Sequence, residues 1–98
     1  MAISKKGIRV LQVFKALEAH PIIGVSNKDI ADGLGISPVH VSRDLGDLIT
    51  EGLVQKLDNG NYAYSIRTLQ IAERFRQQQE RLQIRLQELG ERVGSVDY

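Results

Sequence analysis

Cysteine is absent from the 98 residues, which removes disulfides, thiolate metal sites and cysteine nucleophiles together. Stability must then come from packing alone. Long apolar runs are missing too. Nothing approaches the roughly 18–20 apolar residues that cross a bilayer, and the opening Met-Ala-Ile-Ser-Lys-Lys lacks the apolar core of a signal peptide. The sequence therefore predicts a cytoplasmic protein. There is no excess of one charge, since 13 Lys and Arg face 12 Asp and Glu for a net +1, so gross charge alone demands no nucleic acid. The two histidines, His20 and His40, are isolated. Neither a phosphate-cradling glycine motif nor a carboxylate cluster occurs, so the sequence points to no enzyme, no catalytic residue, no metal site and no cofactor.

What is present is a patterned chain with room for one compact domain and one further element. Ile8, Leu11, Phe14 and Leu17, with Val10 and Val13, recur at steps of three and four. That spacing predicts an amphipathic helix from about Ser4 to Ala19, ended by His20-Pro21. Ser26 reads as the cap of a second helix with Asp29 in its first turn and Ile30, Ala31 and Leu34 on its apolar face, and Gly35 stops it. Ser37 caps a third helix, Pro38 fills the first-turn position where its missing N–H costs nothing, and Val41, Leu45, Leu48 and Ile49 form the core stripe. Gly52 closes it. The period then becomes strand-like over 53–57 and 61–66, around Asp58-Asn59-Gly60, whose Asn-Gly favours a primed hairpin turn. From Thr68 the chain turns helical again, with fraying expected at Gly90 and Gly94.

Two short helices joined by Leu34-Gly35-Ile36-Ser37 have the spacing that crosses one helix over another and presents the second to a DNA groove. Turning the core stripe inward directs Val39, His40, Arg43, Asp47 and Thr50 outward, with Ser42 on the flank. Arg43 could fork onto guanine O6 and N7, His40 could bond a base edge, and Val39 could touch a thymine methyl; Pro38 and Ser42 complete the candidate base-contacting set. The plain alternative for Arg43 is a surface pair with Asp47, four residues on.

These residues bring a family into view. Val10-Leu11-Gln12-Val13-Phe14-Lys15-Ala16-Leu17, Asp29-Ile30-Ala31-Asp32-Gly33-Leu34-Gly35-Ile36-Ser37, Val41-Ser42-Arg43-Asp44-Leu45, Gly52-Leu53-Val54 and Tyr62-Ala63-Tyr64-Ser65-Ile66 follow one another in order. Over Ile8 to Ala72 the chain resembles the DNA-binding domain of IclR-type regulators. The resemblance implies a winged helix-turn-helix, a major-groove reading helix from Pro38, a wing touching the backbone, and dimeric binding to repeated half-sites. Those regulators also carry a large effector domain, which is not expected within these 98 residues, so ligand sensing is not among the expectations carried over.

Phosphate contacts are expected from Ser26, Asn27, Lys28 and Ser37 at helix N-termini, where free N–H groups favour anions. Lys56, Asn59, Asn61 and Tyr62 near the ribbon tip, and Lys5 and Lys6 at the start of the chain, are the other candidates. Alternation sets Tyr64 and Ile66 in the core instead. Lys5, Lys6, Arg9 and Lys15 precede any acid, while Asp44, Asp47 and Glu51 make the third helix acidic, so a polarised surface is expected.

Ala72, Phe75, Gln79, Leu82, Leu86, Leu89 and Val93 form a heptad seam on an otherwise polar helix. Leu69 and Ile71 can pack back on the winged domain, while Phe75, Gln79, Leu82, Leu86 and Leu89 are the candidate contacts of a homodimer. The flanking Arg76, Gln78, Gln83 and Arg85 offer no complementary acids, so charge does not choose between parallel and antiparallel pairing. The expected organisation is a winged domain over 4–67, a coiled-coil-like dimerisation helix over 68–92 and a flexible tail over 93–98. The function it suggests is sequence-specific duplex DNA binding by a homodimeric transcriptional regulator. The rivals are a winged-helix adaptor between proteins and a phage-type DNA-binding protein of recombination or packaging.

Overall fold

The computed structural model describes residues 4–94. Its elements are α1 (Lys5–Ala16), a 3-10 turn (Leu17–Ala19), α2 (Asn27–Leu34), α3 (Pro38–Thr50), β1 (Val54–Lys56), β2 (Tyr62–Tyr64) and α4 (Ile66–Gly94). This is a winged helix-turn-helix with a long C-terminal helix. The chain divides into two compact units, one through Thr68 and one from Leu69 on.

Local chemistry sets the helix boundaries. Ser4, Ser26 and Ser37 cap α1, α2 and α3, their hydroxyl oxygens accepting from the N–H groups of Gly7, Asp29 and His40 at 2.9, 3.1 and 3.2 Å. Each supplies an acceptor for a donor the helix leaves free, worth about 1 kcal/mol. Gly35 ends α2 in the left-handed region at φ 67°, its N–H donating to the Ala31 carbonyl. That conformation, open to glycine, makes the sharp turn into α3.

The core joins Val13 and Leu17 to Val25, Ile30, Ala31, Val41, Leu45, Leu48 and Val54. Three expected core residues are not in it. Ile8 and Leu11 are 45% and 59% exposed, because α1 turns its Val10, Val13, Phe14 and Leu17 stripe inward and leaves theirs outside. Ile49 is 40% exposed. The buried face of α3 is Val41, Asp44, Leu45 and Leu48, and Ile49 lies one residue, about 100°, beyond it.

The ribbon is antiparallel, with Val54 opposite Tyr64, Gln55 opposite Ala63 and Lys56 opposite Tyr62. Its loop is not the primed two-residue turn. Among described residues only glycines have positive φ, Gly60 at 86° and not Asn59. Leu57 N–H donates to Asn61 O and Gly60 N–H to Leu57 O, the bonding of a three-residue loop closed by a left-handed glycine. Val25 adds a third edge, exchanging two bonds of 2.8 and 2.9 Å with Tyr62. Tyr64 packs its ring edge-on against Phe14 at 4.9 Å and donates its hydroxyl to the Phe14 carbonyl at 3.0 Å. Burial, with a smaller push from Glu18, raises its phenol above the ordinary tyrosine range.

Ile66 is 67% exposed and opens α4, contrary to its expected core position. Ser65 ends the ribbon: its hydroxyl accepts from Thr68 N–H and donates to Gly52 O, while Thr68 donates to Leu53 O. The helix thus begins two residues before the expected Thr68 and runs on through Gly90. A lone helical glycine costs only about 1 kcal/mol relative to alanine, too little by itself to stop a helix. Val93 and Gly94, assigned by sequence to a tail, are its last residues, and positions 95–98 lie outside the described residues. No residue of α4 is buried, Leu69 and Ile71 included, at 48% and 60% exposed.

Candidate nucleic-acid interface

The outer face of α3 carries Pro38, Val39, His40, Ser42 and Arg43, all exposed, with Val39 at 60%. Ser37 and Pro38 start the helix here, and the buried Val41–Leu45–Leu48 stripe fixes its rotation. Arg43 makes no hydrogen bond or ion pair among the described residues. Asp47, its alternative partner, pairs with Lys6 at 3.7 Å instead. A guanidinium with five donors is thus left facing solvent beside a bare apolar side chain and an imidazole, a set able to bond base edges in a groove.

The two helix N-termini meet. Asn27 Nδ2 donates to the Pro38 carbonyl at 3.2 Å, which ties the start of α2 to the start of α3. Ser26 and Ser37 use their hydroxyls as caps, so the groups they can offer an anion are the first-turn N–H groups they leave free. Lys28 is exposed and pairs with Asp32 at 3.5 Å, an i,i+4 contact weak enough to be exchanged for a phosphate.

At the wing, Lys56 Nζ lies 5.7 Å from the Tyr62 ring centroid, so the exposed ammonium is held at the ribbon by its neighbour across the strands. Asn59 and Asn61 are used differently from the expectation. Both side-chain amides donate to the Ile23 carbonyl, at 3.1 and 3.2 Å, and Asn59 Oδ1 accepts from Asn61 N–H. They clamp the wing to the loop before α2.

Charge on α1 is also spent internally, which corrects the polarised-surface expectation. Arg9 Nε and Nη2 fork onto the two oxygens of Asp44 at 2.7 and 2.9 Å, and Asp44 is fully buried. These bonds raise the guanidinium above its ordinary range despite its own partial burial. With Lys6 on Asp47, two of the four cations of α1 lie against acids of α3, leaving Lys5 and Lys15 exposed and without a partner among the described residues.

The seam residues Phe75, Gln79, Leu82, Leu86 and Leu89 share one open face of α4. Beside them Arg76 is bracketed by Glu73 and Glu80 at 2.7 and 3.0 Å. Hydrogen bonding to Arg76 holds Glu73 below the ordinary glutamate range, and Glu73 in turn raises Arg76.

Sequence reasoning did not find the Val25 edge, the Ile23 carbonyl as an amide acceptor, or the Arg9–Asp44 fork. Val25 is a one-residue pairing with no strand period to show it. Gly24 was the available signal, a glycine two residues before the α2 cap and next to Val25. The fork joins residues 35 positions apart, beyond any local pattern.

Residues 8–70 match the model of the Crp-like helix-turn-helix domain. Among solved structures, CymR (YrzC), the global cysteine regulator of B. subtilis, is 28% identical with a TM-score of 0.59, over 65% of this chain and 51% of that one. The chain therefore spans about half the length of that protein. A comparison with curated proteins finds no match. These findings agree with the resemblance described above at the level of the winged helix-turn-helix and do not reach the IclR type.

Proposed function

The chain belongs to the Crp-like helix-turn-helix domain family, and from that membership we propose that it is a homodimeric transcriptional regulator that binds double-stranded DNA sequence-specifically. One observation carries the reading: α3 presents Val39, His40 and an unpaired Arg43 to solvent while its opposite face is locked into the core. Arg43 reads guanine, His40 bonds a neighbouring base edge and Val39 touches a thymine methyl, with Pro38 and Ser42 beside them. The joined N-termini at Ser26, Asn27 and Ser37, with Lys28, hold one strand's phosphates. Lys56 and Tyr62 on the wing, and Lys5, meet the backbone further along. Asn59 and Asn61 contribute less, because both side-chain amides already donate to the Ile23 carbonyl, whereas Lys6, like Lys28, holds an exposed ion pair that a phosphate can replace.

Kinship with CymR, a global regulator by description, favours regulation over other uses of DNA binding. From the IclR-type resemblance comes dimeric binding to repeated half-sites. Two copies joined through Phe75, Leu82, Leu86 and Leu89 on α4 place two reading helices on one duplex and turn two weak contacts into one strong site.

The test is binding of the full chain to duplex DNA between about 50 and 200 mM salt, the range over which several phosphate contacts change affinity by orders of magnitude. Duplex binding that weakens steeply with salt is expected. Absence of binding even at low salt rejects the reading.

A further inference from the structure

We propose that α4 pairs with α4 of a second copy in parallel and in register, and that Gln79 sets this alignment. The proposal rests on the dimer reading above and adds its geometry. The seam alternates two kinds of layer, Ala72, Gln79, Leu86 and Val93 in one and Phe75, Leu82 and Leu89 in the other, the spacing of two helices wound about a shared apolar stripe. Its large apolar members are 46% to 72% exposed in the single chain. With roughly 100 Å2 left open on each of five such side chains, two copies remove about 1,000 Å2 from water, the size at which specific interfaces begin.

The one polar layer decides the orientation. In antiparallel pairing, members of the first set face members of the second, so Gln79 meets Phe75, Leu82 or Leu89 in every register that keeps the seam closed. Two amides then lose water without gaining partners. A parallel pair shifted by one heptad sets Gln79 against Ala72 or Leu86, with the same result. The unshifted parallel pair alone puts Gln79 opposite itself, where an amide N–H of each copy can donate to the other's carbonyl. A single polar residue in such a layer fixes register and strand number.

The flanks accept this alignment. Arg85 faces Gly90 of the second copy, Gln78 faces Gln83, and Arg76, already neutralised by Glu73 and Glu80, faces Ile71. No like charges meet across the pair.

Because the chain has no cysteine, single introduced thiols report the pairing directly. Leu82 and Leu86 are exposed, so Leu82→Cys or Leu86→Cys leaves each single chain folded. Under mild oxidation of the full chain, each variant alone is expected to form disulfide-linked dimers, since like layers come within bridging reach only in the parallel, unshifted pair. Adding Gln79→Leu to a mixture of the two should allow links between position 82 of one copy and 86 of the other. Links formed only in mixtures of different single variants overturn the proposal in favour of antiparallel pairing. A chain that sediments as a dimer yet forms no link overturns the parallel, unshifted pairing, and one that sediments as a monomer at micromolar concentration removes the dimer reading itself.

Discussion

Replacing Gly24 with alanine should unfold the wing's attachment, whereas the same substitution at Gly33 should strengthen the protein. Gly24 is buried at φ 79°, a backbone conformation that costs an L-residue about 1–2 kcal/mol. A Cβ there would lie 2.8 Å from the Tyr62 carbonyl oxygen and 2.9 Å from Asn61 Cβ. The first is a backbone atom in the Val25–Tyr62 exchange, so relief must loosen those two bonds, at about 0.5–1.5 kcal/mol each. Together these give roughly 2–5 kcal/mol, a large part of the 5–15 kcal/mol that holds an ordinary domain. Gly33 lies inside α2 with nothing within 4 Å of an added Cβ and no positive φ, and alanine there gains about 1 kcal/mol of helix propensity. Urea unfolding followed by circular dichroism measures both. Slopes of about 1–3 kcal/mol per molar separate the two variants by a molar or more. Equal midpoints, or a Gly24→Ala variant as stable as its parent, would refute the third edge of the sheet.

Three further outcomes follow from the site. Arg43→Ala should cost about 1–3 kcal/mol per half-site and relax preference at one base position; an equal loss on all sequences, measured by anisotropy, would make Arg43 a phosphate contact instead. Lys56→Ala and Lys28→Ala should each lower the slope of log affinity against log salt by about one unit and leave sequence preference unchanged, and an unaltered slope would return that lysine to plain solvent exposure. Arg9→Met strands the buried Asp44 carboxylate and should lower the melting temperature sharply. Arg9→Met with Asp44→Leu together should restore most of it, as replacement of a buried pair by apolar side chains commonly does; a single variant that melts like the parent would show that the fork carries no stability.

Much of the winged domain was legible because local chemistry dictates it. Ser26, Gly35 and Ser37 punctuate the helices through bonds made within four residues, and Pro38 does so by lacking the N–H that a first turn leaves free; such local chemistry leaves its mark in the order of residue types. What was not legible depends on partners distant in sequence. Two apolar stripes compete on α1, and the choice that exposes Ile8 and Leu11 is made by the rest of the core. Asp44 reads as a surface acid until Arg9 arrives from 35 residues away. Asn59-Gly60 read as a primed turn, but both asparagine amides are drawn to Ile23 and Gly60 alone takes the left-handed position. At the candidate interface the residue types on α3 were readable from its period. That Arg43 is unpaired while Asp47 is taken by Lys6 was not, since it depends on how α1 lies against α3.

The central claim is that α3 reads duplex sequence, and selection of bound duplexes from a random pool by the full chain tests it most directly. Enrichment of one short motif is expected, repeated as two half-sites about one helical turn apart or a multiple of it, with one guanine position per half-site lost when the selection is repeated with Arg43→Ala. A pool that stays random although DNA is retained, or a motif untouched by Arg43→Ala, would contradict it.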